Sequence, residues 1–92
     1  MNQNDIVTVL TPIGEVVGRL KGESETVFTI ERPRMLMQTQ QGMGFAPGIG
    51  MSVDPKAHDV DIQKAQVVAV VATVKEVADG WVQATSGIVL ST

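Results

Sequence analysis

Apolar and polar positions alternate through the first quarter of the chain and predict two β-strands. β-Branched residues dominate DIVTVLT (residues 5–11), a composition typical of a strand. EVVGRLKG (residues 15–22) places Val16, Gly18 and Leu20 on one face. A glycine in the middle of a strand often marks a bulge or a sharp bend, so we expect the sheet to turn a corner at Gly18.

A third strand is predicted over ETVFTIERPRMLM (residues 25–37), where the alternation continues. One face carries Thr26, Phe28 and Ile30, which indicates a half-buried strand. Proline cannot donate a hydrogen bond to a sheet, so we expect the strand to be interrupted at Pro33 or to lie at an edge there.

The alternation is lost between residues 38 and 61, where glycines and prolines break any helix. Residues 35–51 contain four of the five methionines and no charged side chain. Connections of this length are usually functional or mobile. We predict a long variable loop at about residues 38–61, whose apolar part contacts neighbouring subunits or a partner. A short strand over residues 51–53 is an open alternative.

Nearly continuous valine and alanine in IQKAQVVAVVATV (residues 62–74) are typical of a strand buried on both faces. The apolar side chains that follow fall on one stripe of a helix over about residues 74–86: Val74, Val77, Ala78, Trp81, Val82 and Thr85. We expect Trp81 to anchor this helix in the core, and the alternative is a residue that stacks on a nucleic-acid base. Asp79-Gly80 is also typical of a hairpin turn, but strands there would place Lys75 and Trp81 on one face, so the helix is favoured.

A last short strand is predicted at Ile88, Val89 and Leu90. It is too brief to close a sheet, and an exposed edge of this kind is commonly paired with another chain, so we predict that it forms the oligomer edge. Together these elements describe one mainly-β domain over residues 1–92. Its predicted form is a small, strongly bent antiparallel barrel of about five strands with one short helix.

Composition limits the classes of function. A 43% apolar content fits a folded domain, and the absence of cysteine excludes disulfides and thiolate metal sites. No apolar run approaches the roughly 20 residues of a membrane span, and the first residues lack the features of a secretory signal. We therefore expect no membrane partner and a cytoplasmic location, in a bacterial or phage-infected cell. The net charge of −3 argues against a general DNA-coating protein but allows one local basic patch.

No pattern of residues supports catalysis, so we expect the protein not to be an enzyme. His58 is the single histidine, and with Asp54, Asp59 and Asp61 it fits a solvated acidic loop better than a cation site. GMGFAPGIG lacks both the lysine and the spacing of a phosphate-binding loop. We expect neither a metal nor another cofactor.

Several of these positions resemble the Sm/LSm family of small bent β-barrels (SH3-like), which assemble into rings and bind RNA. The first family block is similar to the run Val7-x-Val9, Gly14, Gly18-x-Leu20 and Gly22, and the second to Ser86-Gly87-Ile88-Val89. The run from TPIGEVVG through ERPR to QATSGIVL looks like small Sm-like proteins of marine cyanophage origin. The resemblance implies a barrel of this type and a homo-oligomeric ring of about five to seven copies.

The resemblance also implies nucleic-acid binding, although the family's base-reading pair is replaced. Where Sm proteins place an aspartate and, four residues on, a base-contacting asparagine, this chain has Ser24 and Phe28. We therefore expect binding to single-stranded RNA or DNA with little sequence preference, through basic side chains and one stacking aromatic ring: Arg32, Arg34, Arg19, Lys21 and Phe28. The alternatives are a core position for Phe28 and a solvated strand end, paired with Glu31, for Arg32 and Arg34.

A second function class is a structural or scaffolding homo-oligomer of phage origin that does not bind nucleic acid. The acidic total charge and the missing base-reading pair favour this class. The family resemblance and the sequence Arg32-Pro33-Arg34 favour nucleic-acid binding.

Overall fold

The computed structural model describes residues 2–46, 49 and 59–86. Within these ranges the protein is mainly β, with six antiparallel strands in one sheet and one helix. The strands are β1 (Ile6–Thr11), β2 (Gly14–Glu23), β3 (Val27–Thr39), β4 (Gly42–Phe45), β5 (Asp59–Gln63) and β6 (Ala69–Ala72), and the helix is α1 (Lys75–Ser86). A 3₁₀ turn, Lys64–Gln66, lies between β5 and β6.

The strand order is β4–β3–β2–β1–β6, and β5 also pairs with β3. β5 pairs with β3 from Val27 to Glu31, and β4 pairs with the same strand from Leu36 to Thr39. Pro33 lies between these two stretches, where neither β4 nor β5 pairs with β3. The missing N–H of proline therefore leaves no hydrogen bond to these strands unmade. Of the two predicted alternatives, the local edge is the one observed, because β3 itself continues through Pro33 without interruption. Among the described strands the sheet is not closed, because β6 ends it on one side and β4 and β5 on the other.

A bulge between β2 and β3 bends the sheet at Gly18, as predicted. The pairing steps from Val17 with Arg34 to Arg19 with Glu31, so two residues of β3 lie opposite the single Gly18. The φ angle of Arg32 in the bulge is 51°, which is uncommon outside glycine. A Cβ atom on Gly18 would overlap Ile30 Cγ2 and lie 2.9 Å from the Glu31 carbonyl oxygen. Glycine is therefore required for the close approach of the two strands.

The two faces of the sheet are both covered in part. One face carries the hydrophobic core, formed by the buried side chains that alternate along the first three strands: Val7, Val9, Val16, Leu20 and Ile30. The opposite face, called here the outer face, carries Thr8 and Val17, which are also buried. Helix α1 packs on the outer face through Trp81, which is only 1% exposed. The predicted helix and the predicted role of Trp81 as its anchor are confirmed.

The edges of the predicted helical stripe remain exposed, with Val74 at 63% and Val82 at 42%. The alternative hairpin turn at Asp79-Gly80 is wrong, because both residues lie inside α1. Gly80 faces the β3–β4 hairpin, where an added Cβ would lie 3.4 Å from Phe45 Cε2. The side of the helix that lacks a side chain at Gly80 thus lies against the aromatic ring of Phe45.

The prediction of a loop from residue 38 onwards is wrong at both of its ends. β3 continues to Thr39, β4 follows at once, and β5 already begins at Asp59. Thr39 Oγ1 donates to the Gly42 carbonyl oxygen at 2.7 Å, and the φ of 115° at Gly42 fits the tight turn between the strands. Two of the four β4 residues are glycines, which present no side chain, so the pattern could not show this strand. The alternative strand at residues 51–53 lies outside the described residues.

The prediction of one continuous strand over residues 62–74, buried on both faces, is also wrong. The segment divides into the end of β5, the 3₁₀ turn and β6, and the last two residues of β6 are exposed. β5 pairs with β3, whereas β6 pairs with β1. The chain therefore has to cross from the β3 side of the sheet to the β1 side between β5 and β6. No glycine or proline marks this crossing. The predicted terminal strand at residues 88–90 lies outside the described residues.

Candidate nucleic-acid interface

Helix α1 is fastened to the sheet at the β2–β3 bulge by two reciprocal hydrogen bonds. Trp81 Nε1 donates to the Arg32 carbonyl oxygen at 2.9 Å, and Arg32 Nη1 donates to the Thr85 carbonyl oxygen at 3.0 Å. A guanidinium in this position satisfies one of the carbonyl groups that lack a partner at the end of a helix. The left-handed backbone of Arg32 and the position of α1 therefore depend on each other.

Arg19 and Lys21 on β2 lie beside the same bulge. The Arg19 guanidinium lies 5.4 Å from the centre of the Trp81 ring and donates to the Asn4 carbonyl oxygen at 3.1 Å. Glu31 Oε1 is 3.6 Å from Arg19 Nε and 3.8 Å from Lys21 Nζ. The two basic side chains remain 34% and 40% exposed, so these pairs are weak and leave surface for an anion.

Arg34 adds a further cation near the bulge. Its Nη1 donates to the Pro33 carbonyl oxygen at 3.0 Å. Burial lowers the pKa of Arg34, and the positive charge of Arg32 lowers it further. A guanidinium stays charged in proteins despite such a shift, so the two arginines concentrate positive charge in one region.

These side chains form what we call the bulge cluster: Arg19, Lys21, Glu31, Arg32 and Arg34. The four basic residues are four of the seven lysines and arginines in the chain. Glu31 pairs with two of them, and the cluster gathers four cations in a protein whose net charge is −3. Arginine forks and lysine ammonium groups arranged in this way suit phosphate oxygens.

The predicted basic residues are thus brought together, but not all in the expected roles. The alternative for Arg32 and Arg34 was a solvated strand end paired with Glu31, whereas the ion pairs of Glu31 are with Arg19 and Lys21 across the strand pair. Arg32 holds the end of α1 through its side chain and its carbonyl oxygen. The part of Trp81 in joining these groups was missed, since nothing local in the sequence relates it to a residue 49 positions away.

Phe28 has different surroundings from the other predicted contact residues. Its side chain is half-buried and packs against the hydrophobic core. Lys64 Nζ lies 4.8 Å from the centre of the ring and also pairs with Glu23 at 2.6 Å. These contacts occupy the ring within the protein, and its stacking on a nucleic-acid base stays a prediction.

Comparison with models of known protein families gives no match, and no curated protein shows significant similarity to the chain. Within the described residues, no group of three or more histidine, aspartate or glutamate side chains is placed to hold a metal ion. His58 and Asp54 of the acidic segment lie outside those residues, as do the predicted edge residues Ile88, Val89 and Leu90. None of the helices described is both long enough and apolar enough to cross a membrane.

Proposed function

We propose that the chain is an Sm-like, ring-forming protein that binds single-stranded RNA or DNA with little sequence preference through the bulge cluster. The observation that supports binding is the gathering of four cations at one bulge of an otherwise acidic chain. Repetition around a ring would multiply contacts that are individually weak. The absence of the family's aspartate and asparagine at Ser24 and Phe28 supports contact with the phosphate backbone rather than with particular bases.

An Sm-like bent barrel is supported by the course of the sheet. The final described strand, β6, returns to pair with β1, the first strand. A second shift of register between Leu20 and Gly22 adds to the bulge at Gly18, and both increase the bend of the long strands. Strands that bend in this way curl a sheet towards a barrel.

Ring assembly is supported by the free edges at the two ends of the sheet. Among the described strands, β6 pairs only with β1, and β4 and β5 pair only with β3. If β6 of one copy pairs with the opposite end of the next, the contact is heterologous, and such contacts build a ring when the rotation between copies closes. The proposed size of about five to seven copies comes from the resemblance to the Sm/LSm family.

We expect light scattering of the native protein to give the mass of about five to seven chains. Replacing Val71 in β6 with proline should lower this mass, because proline removes a hydrogen-bond donor from the strand and restricts its backbone. The Val71→Ala variant should keep the ring, and circular dichroism of both variants monitors folding. A native protein that is a stable monomer at micromolar concentration would contradict ring assembly.

For nucleic-acid binding, we expect the double variant Lys21→Gln/Arg34→Gln to bind single-stranded oligonucleotides about tenfold or more weakly, equally for all sequences. The slope of log affinity against log salt should also become shallower, because fewer counterions are released. Arg32 is left in place because it holds α1. Fluorescence anisotropy with labelled RNA and DNA at two salt concentrations measures both effects.

The matched control is Lys75→Gln, which removes a cation from the exposed start of α1, where Lys75 pairs with Asp79 at 2.7 Å. It should bind as the native protein does. Unchanged affinity of the double variant would move the site away from the bulge cluster. No binding to any oligonucleotide at about 50 mM salt would reject nucleic-acid binding and leave the scaffold function.

A further inference from the structure

Helix α1 leaves part of the outer face uncovered. Its second half lies over the bulge cluster, whereas its first half faces the β3–β4 hairpin with space between them. Two hollows of about 460 and 220 Å³ lie there and share the side chains of Leu36, Met43 and Val77, so they form one continuous surface. We call it the outer groove.

The floor of the outer groove is apolar and open to solvent. It is formed by side chains from the hairpin, from β6 and from the start of the helix: Leu36, Met43, Phe45, Val71, Val74 and Val77. Met43 and Val74 are each 63% exposed, and Val71 is 41% exposed. Neighbouring apolar side chains exposed to this degree are typical of a docking surface, and a flexible methionine adapts to the shape of a partner.

The rim of the outer groove is acidic. Glu15 lines one hollow and Glu76 the other, and neither forms an ion pair within the part of the chain that the structure describes. Lys75 is the next residue to Glu76, but its ammonium group pairs with Asp79. Within the described residues, the surface therefore combines an apolar floor with two carboxylates that have no countercharge.

We infer that the outer groove binds a basic amphipathic segment of a partner protein. The large apolar side chains of this segment would fill the two hollows, and the lysines or arginines of the segment would reach Glu15 and Glu76. The experiment below distinguishes such a segment from a second copy of the chain. The inference goes beyond nucleic-acid binding, since the bulge cluster lies at the other end of α1 and both surfaces are accessible at once.

The probe is a synthetic peptide of about 15 residues with leucines at i, i+3 and i+7 and lysines on both sides of that stripe. We expect the full chain to bind it with micromolar affinity in fluorescence anisotropy. A scrambled peptide of the same composition should bind about tenfold more weakly, and a version with glutamate in place of lysine should not bind.

Two variants test the location of the site. Met43→Lys places a charge on the floor of the groove and should weaken peptide binding about tenfold or more. Met37→Lys is its matched control, because Met37 is 49% exposed and lies one position along the β3–β4 pairing, on the opposite face of the hairpin. Glu15→Gln/Glu76→Gln should weaken binding at low salt, whereas Lys21→Gln/Arg34→Gln should leave it unchanged.

Three results would overturn the inference. The first is the absence of peptide binding by the full chain up to about 1 mM, and the second is equal loss of binding in Met43→Lys and Met37→Lys. The third is a lower mass of Met43→Lys in light scattering without peptide, which would make the groove a contact between copies. Nucleic-acid binding is measured separately with the Lys21→Gln/Arg34→Gln variant. Failure of the outer groove to bind peptide is therefore distinguishable from failure of the bulge cluster to bind nucleic acid.

Discussion

Replacing Trp81 with alanine is expected to lower the free energy of unfolding by about 3–5 kcal/mol, the usual cost of removing a large buried aromatic side chain. Trp81 is 1% exposed, and it donates to the Arg32 carbonyl oxygen and lies under the Arg19 guanidinium. The variant therefore leaves a cavity, a carbonyl oxygen without its donor and an arginine without its ring. Urea denaturation followed by circular dichroism measures the loss, since the variant removes the only tryptophan.

The Trp81→Phe variant separates packing from hydrogen bonding. Phenylalanine keeps most of the buried surface but cannot donate to Arg32, so we expect a loss of about 1–3 kcal/mol. Val82→Ala is the matched control, because Val82 is the next residue of α1 and is 42% exposed. It should change the stability by less than about 1 kcal/mol. A loss below that value for Trp81→Ala would show that α1 contributes little to the folded state.

Replacing Gly18 with alanine is expected to lower the free energy of unfolding by about 2–3 kcal/mol, because the added methyl group has no space. It would overlap Ile30 Cγ2, and the Glu31 carbonyl oxygen would lie only 2.9 Å away. Ile30 is fully buried in the core, so it cannot move aside without disturbing its neighbours. Denaturation in urea measures the change.

Gly22→Ala provides the control on the same strand. A Cβ atom on Gly22 would have no heavy atom within 4 Å, so we expect a change of less than about 1 kcal/mol. Gly18→Ala should also move the emission of Trp81 towards that of an exposed tryptophan, because a disturbed bulge displaces the Arg32 carbonyl oxygen that Trp81 binds. Equal stabilities of the two alanine variants would show that the bulge at Gly18 does not require glycine.

Local patterns in the sequence were sufficient for the elements that bury one face. Alternation placed Val16 and Leu20 in the core, and the glycine between them correctly marked the bulge. The helical stripe predicted α1 and the burial of Trp81. In each case the side chains themselves report the period of the backbone, because burial against a core requires apolar groups to recur on one side.

Elements without that periodic signal depended on contacts with distant parts of the chain. β4 forms because Gly42 and Gly44 pair through their main chains with β3, and glycine offers no side chain for a pattern to show. The division of residues 59–72 into β5 and β6 follows from their different partners, β3 and β1.

The candidate sites likewise depend on the tertiary arrangement of residues whose types were visible in the sequence. All four basic residues of the bulge cluster were predicted as contact residues, namely Arg32, Arg34, Arg19 and Lys21, but the groups that surround them were not. Trp81 meets Arg32 across 49 residues, and the outer groove is lined by the hairpin, β6 and α1 together. Register between strands and the packing of a helix on a sheet are set by the fit of whole surfaces, and local periodicity carries no information about which surfaces meet.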